Sequence, residues 1–189
     1  MPGSVDLPLS QAVFTGGCFW TLEAVFRRLV GVTSVRSGFV WMAAGLPPTE
    51  SPLRYPVEKM EGVWVEWDPA RIDLGVLVEV LLSITSPSLV SWEGISEMSG
   101  ARSAVFVQDP AACGPALAII RAHREAPTGL PVYTEIIPWL PAWVPAPAFD
   151  IDYFERNPQE SFCRSLIQPK LDRVSKRFAD RWVAKPSRR

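Results

Sequence analysis

Apolar and polar residues alternate between residues 12 and 107 with periods that predict six regular elements. After Cys18, apolar residues recur at spacings of three and four until Gly31, which is typical of a helix and its C-terminal stop. In Gly62–Trp67 the apolar residues alternate, which is typical of a strand. In chain order we predict a strand at 12–14, a helix from 18 that stops at Gly31, strands at 32–40 and 62–67, a helix at 72–84 and a strand at 103–107.

The order strand, helix, strand, strand, helix, strand predicts an α+β fold. It is the split β-α-β pattern of ferredoxin-like domains. Long loops between the elements are then expected to carry the functional site. Because the chain contains no internal repeat and no linker, we expect a single domain over residues 1–189.

Proline and tryptophan shape the predictions for the rest of the chain. We predict, in order, loops at 45–56 and 86–101, a helix from Asp109 to about Arg124, a strand at 131–137 and an amphipathic basic helix at 169–182. The segment 138–147 reads PWLPAWVPAP. Proline lacks a backbone N–H, so we expect this Pro/Trp segment to be a loop that does not pair regularly.

The composition argues against several classes of protein. Nineteen Lys and Arg against twenty Asp and Glu leave a net charge of -1, which argues against nucleic-acid binding over the whole domain. No apolar run approaches the roughly 18 residues of a membrane span. The N-terminal residues lack the basic and apolar regions of a signal peptide, so we expect a cytoplasmic protein with reduced thiols.

The numbers of histidine and cysteine residues limit the kinds of functional site that the chain can form. The single histidine, His123, cannot supply the paired ligands of most zinc enzymes, and we expect neither a metal nor another cofactor. Three cysteines do not make a disulfide scaffold in a chain of this size. In a reducing compartment they favour a redox or catalytic hypothesis over a structural one.

Cys18 directly follows Gly16 and Gly17 and begins the first predicted helix. Unpaired backbone N–H groups and the helix dipole stabilise a negative charge at a helix start, so we expect the pKa of the Cys18 thiol to be lowered. The small glycines let a substrate approach the sulfur. The alternative is that Cys18 is a buried small apolar residue after a strand.

The residues around Cys18 resemble the active-site motif of a known enzyme family. The run Thr15-Gly-Gly-Cys-Phe-Trp-Thr-Leu-Glu23 resembles the GGCFWG-x-E motif of peptide methionine sulfoxide reductase A. Segments similar to that family's extend over about residues 11–180 and include Val25–Gly38, Glu61 with Val63–Pro69, Arg102–Phe106, Thr134–Ile136 and Asp152–Leu171. The family fold, an α+β domain around a ferredoxin-like core, agrees with the predicted order of elements.

The resemblance implies a role for each matched residue. Cys18 is then the nucleophile that attacks the sulfur of methionine S-sulfoxide, free or in a protein, and becomes a sulfenic acid. Cys163, in the C-terminal extension, is the resolving cysteine that forms a disulfide with it, and a thioredoxin-like reductant reduces that disulfide. Phe19 and Trp20 form an apolar wall for the substrate methyl group. Glu61 holds or donates a proton toward the sulfoxide oxygen.

These residues also have structural interpretations. Phe19 and Trp20 can be core residues at the start of the helix, and Glu61 can be a solvated residue at a strand end. Cys163 can be an unpaired structural cysteine. Cys113 matches no cysteine of the family, and we interpret it as a packing residue.

The chain departs from the family pattern where the substrate oxygen is expected to bind. Thr49 and Ala101 stand at the positions of two family tyrosines, and Ser96 stands at the position of an aspartate. These three residues are therefore the candidate substrate-binding residues on the oxygen side. Three functions remain open: a methionine sulfoxide reductase with an altered oxygen-binding shell, a divergent member acting on another small sulfoxide or oxidised sulfur compound, and a non-catalytic binding protein.

Overall fold

The computed structural model describes residues 9–41, 59–85, 103–107, 113–125, 134–138 and 143–186. The strands in these ranges are β1 (Ser10–Thr15), β2 (Val32–Trp41), β3 (Lys59–Trp67), β4 (Ala104–Val107), β5 (Glu135–Pro138) and β6 (Trp143–Pro145). The α-helices are α1 (Phe19–Phe26), α2 (Leu74–Ile84), α3 (Gly114–Glu125), α4 (Tyr153–Arg156) and α5 (Gln168–Arg177). A π-helical turn at Cys163–Ile167 runs directly into α5, and a 3₁₀ turn follows at Ala179–Arg181.

The described strands form one sheet in the order β5-β4-β1-β3-β2-β6. The central four, β4-β1-β3-β2, are each antiparallel to their neighbours, and α1 and α2 provide the connections from β1 to β2 and from β3 to β4. This is the ferredoxin-like arrangement, so the predicted fold class is confirmed. β5 extends the sheet in parallel beside β4, and β6 extends it in antiparallel beside β2.

The two faces of the sheet carry separate apolar clusters. Phe14 of β1 belongs to the cluster on the helix side, where its ring centroid lies 4.8 Å from that of Phe26 in α1. Val13 belongs to a second cluster, together with Met60 and Phe106. The alternation follows from strand geometry, because successive side chains point to opposite faces.

Helix α1, whose first turn adjoins Cys18, is enclosed on most of its surface. All of its residues except Trp20 are buried, because the sheet covers one side and the C-terminal helices α4 and α5 contact it from others. A helix of eight residues is not stable alone in water, so tertiary packing holds it in place. No helix within the described ranges is long and apolar enough to cross a membrane.

The prediction that residues 138–147 do not pair regularly is wrong for Pro138, the last residue of β5, and for Trp143–Pro145, which form β6. Pro145 is compatible with this position because β6 is the last strand on its side of the described sheet, and an edge strand tolerates a missing N–H. The residue opposite Pro145 is Gly38. A Cβ atom on Gly38 would lie 2.4 Å from the Trp143 ring, so the glycine lets Trp143 lie against β2.

Two further boundaries differ from the prediction. Strand β3 begins at Lys59 rather than at Gly62, so Glu61 lies within the strand and not ahead of it. The predicted helix at 169–182 ends early, because α5 stops at Arg177 and Phe178 leaves helical geometry with φ −120° and ψ 42°. The chain then returns to the turn between α1 and β2, where the Val30 N–H donates a 2.8 Å hydrogen bond to the Arg181 carbonyl.

Candidate active site

Two glycines turn the chain from β1 into α1. Gly16 and Gly17 have φ values of +156° and +104°, which side chains rarely allow. A Cβ atom on Gly16 would also lie 2.5 Å from the Thr85 side chain. The turn places Cys18 at the N-cap of α1, and its carbonyl accepts hydrogen bonds from the N–H groups of Thr21 and Leu22.

The Cys18 thiol lies in a largely desolvated position. Burial raises its pKa to about 11, backbone hydrogen bonds at Trp20 and Thr21 oppose this, and the charge of Glu61 adds to it. The predicted lowering of the Cys18 pKa is therefore wrong. The N–H groups at the helix start do favour the thiolate, as expected, but they are outweighed because loss of water disfavours the charged form more strongly.

Glu61 joins the sheet to the start of α1. Its Oε2 atom accepts a 3.0 Å hydrogen bond from the backbone N–H of Phe19. That N–H has no partner within the helix, and a carboxylate is favoured at this end of the helix dipole. Glu61 is only partly buried, and it pairs in the sheet with Phe39 of β2. The structure thus brings Glu61 beside Cys18, 43 positions earlier in the chain (61 − 18 = 43).

The aromatic residues after Cys18 form a connected group. Phe19 is buried, and its ring centroid lies 5.4 Å from that of Phe39. Trp20 stacks on Tyr153 of α4 with centroids 3.7 Å apart and planes 7° apart. Phe162 packs against Trp20 at 5.7 Å with nearly perpendicular rings. Such a group can bind a small apolar substituent beside the sulfur.

Trp20 has a polar partner that the sequence analysis missed. Its indole N–H donates a 3.0 Å hydrogen bond to Oδ1 of Asp150. Asp150 is only 7% exposed, and its backbone N–H donates to the carbonyl of Pro147. The two residues are 130 positions apart, so no local pattern could have paired them.

Polar side chains of α1 and of the two residues directly after it hold the segment that carries Asp150 and Tyr153. The buried carboxylate of Glu23 accepts a 3.0 Å hydrogen bond from the N–H of Asp152, and Arg27 forms an ion pair with the Asp152 carboxylate. Arg28 forms an ion pair with Glu155, one helical turn further along. These contacts fix α4 against α1, and Tyr153 is thereby held on Trp20.

Lys170 of α5 is a second residue that the sequence analysis did not assign to the site. It is half-buried and lies close enough to Cys18 for their charges to interact. Burial lowers the pKa of Lys170, and the neighbouring Arg173 lowers it further, whereas a Cys18 thiolate raises it. In return, the ammonium lowers the pKa of Cys18. Lys170 is therefore positioned to stabilise negative charge on the sulfur.

The other two cysteines, Cys113 and Cys163, are buried. Cys163 has no exposed surface and is the first residue of the π-helical turn, where burial and then the Glu160 charge raise its pKa. Cys113 lies in the core immediately before α3, in agreement with the packing interpretation.

The sequence also predicts three residues that bind the substrate on its oxygen side. Thr49, Ser96 and Ala101 lie outside the described residues. The structure thus brings together Cys18, Phe19, Trp20 and Glu61 from the predicted set, and it places Cys163 in the apolar core against which Cys18 and Trp20 pack.

Comparison with known proteins supports the resemblance seen in the sequence. Residues 10–182 match the family model described as peptide methionine sulfoxide reductase. The chain is 33% identical to the peptide methionine sulfoxide reductase MsrA of Ralstonia nicotianae, over 93% of this chain and 94% of the relative. It is 29% identical to the protein of the same name from Polynucleobacter asymbioticus, over 92% of each chain.

Two solved structures have a similar fold. The methionine sulfoxide reductase A of Corynebacterium diphtheriae matches with a TM-score of 0.64 and 22% identity, over 84% of this chain and 82% of that one. Reduced Mxr1 of Saccharomyces cerevisiae matches with a TM-score of 0.61 and 21% identity, over 82% of this chain and 89% of that one. At these identities the likeness concerns the fold.

Proposed function

Because the chain belongs to the peptide methionine sulfoxide reductase family, we propose that it reduces methionine S-sulfoxide, free or in proteins, with Cys18 as the nucleophile. The observation that carries this assignment is the position of Cys18 at the start of α1, between an aromatic group and the Glu61 carboxylate. Phe19 and Trp20 bind the substrate methyl group in this proposal. No metal or other cofactor takes part.

The first step transfers the sulfoxide oxygen. The Cys18 sulfur attacks the sulfoxide sulfur and forms a transient S–S bond. The sulfoxide S–O bond then breaks, the protonated oxygen bonds to the Cys18 sulfur as the S–S bond breaks, and the products are the thioether of methionine and a sulfenic acid on Cys18. A thiol with a pKa of about 11 is mainly protonated at neutral pH. Its proton is therefore available to the developing oxygen charge, with Glu61 as the group that holds or relays it. Lys170 stabilises negative charge on the sulfur as the proton leaves.

The second step removes the sulfenic acid. The Cys163 thiol condenses with it to form a Cys18–Cys163 disulfide and one water molecule. Cys163 is fully buried in a π-helical turn, and in this proposal the turn opens as the two sulfurs meet. Single π-helical turns are uncommon and often occur at functional sites. A dithiol reductant of the thioredoxin type then returns both cysteines to thiols.

A second candidate function follows from Thr49, Ser96 and Ala101. These residues replace the two tyrosines and the aspartate of the family pattern. Loss of one donor to a developing oxyanion costs about 100- to 1000-fold in rate. A divergent enzyme with the same Cys18 chemistry, acting on another small sulfoxide or oxidised sulfur compound, therefore competes with the first proposal.

The cellular compartment, the domain organisation and the partners of the protein are part of the same proposal. We place the enzyme in the cytoplasm, where thiols are kept reduced and a dithiol reductant can recycle it. The catalytic unit is a single domain that spans the chain. Sulfoxides and the reductant are its partners, with no role for nucleic acid or a membrane.

The decisive test is turnover of free and peptide-bound methionine S-sulfoxide with dithiothreitol as reductant. We expect turnover by the wild type and by Cys113→Ser, and none by Cys18→Ser. If the wild type leaves methionine sulfoxide unchanged but reduces another sulfoxide in a panel, the second candidate function replaces the first.

The resolving step has its own test. Without reductant, one equivalent of sulfoxide should produce a Cys18–Cys163 disulfide, identified by mass spectrometry of peptides. Cys163→Ser should retain one round of reduction and lose recycling by thioredoxin. A wild type that completes turnover with Cys163 still free would show that an external thiol resolves the sulfenic acid.

A further inference from the structure

Trp20 is held more firmly than a simple apolar wall requires. Tyr153 stacks on its ring at 3.7 Å, Phe162 packs against it at 5.7 Å, and Asp150 accepts its indole N–H at 3.0 Å. Stacking alone does not distinguish the two orientations of the indole that are related by a 180° flip about the Cβ–Cγ bond, because the ring plane is the same in both. The hydrogen bond to Asp150 selects one of these two orientations.

The acceptor of the Trp20 indole N–H is a carboxylate, and its charge has a chemical consequence. A neutral acceptor would satisfy the N–H, but a charged acceptor makes a stronger bond and withdraws the proton further from the ring nitrogen. The ring then carries more electron density. Tryptophan faces attract positive charge through their quadrupole, and the attraction grows with that density. The methyl group of a sulfoxide carries a partial positive charge.

Asp150 is a buried carboxylate whose position is fixed by the surrounding segment. Only 7% of its surface is exposed, and a buried carboxylate is costly without polar partners. Asp152 and Glu155, the other acidic residues of the same segment, instead form ion pairs with Arg27 and Arg28, directly after α1. Those ion pairs anchor the segment, so the contact between Asp150 and Trp20 is not needed to hold it.

We propose that Asp150 is a positioning residue for the sulfoxide substrate: it fixes the orientation of Trp20 on Tyr153 and increases the attraction of the indole for the substrate S–CH₃ group. This inference rests on the proposed function, in which Trp20 contacts that methyl group. The inference goes beyond the proposed function because it assigns the strength of that contact to Asp150, 130 positions away in the chain.

The test compares two substitutions of Asp150. Asp150→Leu has a similar size but no acceptor, whereas Asp150→Asn retains a neutral acceptor for the indole N–H. A hydrogen bond to a charged group contributes enough for a roughly tenfold to hundredfold effect. We expect Asp150→Leu to lower kcat/KM for methionine sulfoxide by that factor, mainly through KM, and Asp150→Asn to lie between it and the wild type.

A double-mutant cycle with Trp20→Phe separates positioning from a structural role, because phenylalanine keeps an aromatic ring and lacks the N–H donor. In the Trp20→Phe background, Asp150→Leu should lower kcat/KM by less than about twofold. The indole N–H band in the Raman spectrum should shift most in Asp150→Leu and by a smaller amount in Asp150→Asn, because a neutral acceptor makes a weaker hydrogen bond than a carboxylate. Thermal unfolding checks that each variant is folded.

The outcomes distinguish this inference from the proposed function. Wild-type turnover with equal kcat/KM in Asp150→Leu, or with fully additive losses in the cycle, overturns the role of Asp150 and leaves the proposed function standing. A wild type that does not reduce methionine sulfoxide overturns both. If Asp150→Leu unfolds, the comparison of Asp150→Asn with the wild type decides, and an unchanged KM and Raman band there overturn the inference.

Discussion

The reactivity of Cys18 toward an alkylating reagent should reflect a thiol that burial keeps neutral. Its pKa of about 11 results mainly from desolvation, with the Glu61 charge acting in the same direction. Only the thiolate reacts, so the logarithm of the alkylation rate should rise by about one for each pH unit from 7 to 10. The rate should approach a plateau only above pH 11, because loss of the thiol proton is half complete near that pH.

The size of the effect can be worked out. At pH 7 roughly one Cys18 in ten thousand is thiolate, against roughly one in a hundred for a thiol with the ordinary pKa of 9.0. A thiolate of higher pKa is a better nucleophile, and with a Brønsted coefficient of about 0.4–0.5 this restores a factor of roughly eight. Cys18 should therefore react about tenfold more slowly at pH 7 than an exposed cysteine in a peptide.

Two charge substitutions test whether Glu61 and Lys170 shift the pKa of Cys18. Glu61→Gln removes a charge that raises the pKa of Cys18, so its alkylation at pH 8 should become roughly two- to tenfold faster. Lys170→Met removes a charge that lowers this pKa and should slow the reaction. Glu66→Gln makes the same chemical change as Glu61→Gln but leaves Cys18 unaffected, because Glu66 pairs with Arg36 instead.

The assay is timed alkylation with iodoacetamide followed by mass spectrometry of the peptide that contains Cys18. The buried thiols Cys113 and Cys163 serve as internal controls for unfolding. A plateau reached at or below pH 8.5 would refute the reasoning. It would mean that the start of α1 stabilises the thiolate more than burial destabilises it.

Two stability predictions follow from packing. Arg28→Met removes a buried guanidinium that donates to the carbonyls of Ala24 and Ala184. It should lower the free energy of unfolding in urea by roughly 1–3 kcal/mol, and a loss no larger than that of the exposed Arg36→Met would contradict this. Gly38→Ala places a Cβ atom 2.4 Å from Trp143 and should cost roughly 1–3 kcal/mol in the same assay. Gly114→Ala, which meets nothing within 4 Å, should cost nothing, and equal losses for the two glycines would exclude the steric explanation.

The central fold could be predicted because its signals are local. Alternation in β3, spacings of three and four in α1 and the glycines between β1 and α1 each act over a few residues. Their order was enough to indicate the ferredoxin-like arrangement. The position of β6 could not be obtained in this way, because Trp143–Pro145 pair only where Gly38 leaves room beside β2.

The residues of the candidate site could be predicted from the sequence, whereas the contacts between them could not. The motif around Cys18 identified Phe19 and Trp20 as its neighbours, and the similarity of later segments identified Glu61 and Cys163. None of these signals reports what surrounds a side chain in space. The hydrogen bond that the Phe19 N–H donates to Glu61 is therefore visible only in the structure.

The sequence by itself determined the order of the central elements, the family and the residue that we propose as the nucleophile, because these depend on neighbours along the chain. Only the tertiary structure decided the ionisation of Cys18 and the setting of Trp20. Desolvation of the sulfur depends on distant segments packed around it, and it outweighs the favourable helix start that the local sequence predicts. Asp150 and Tyr153 reach Trp20 only because the chain folds back over α1, which no local periodicity encodes.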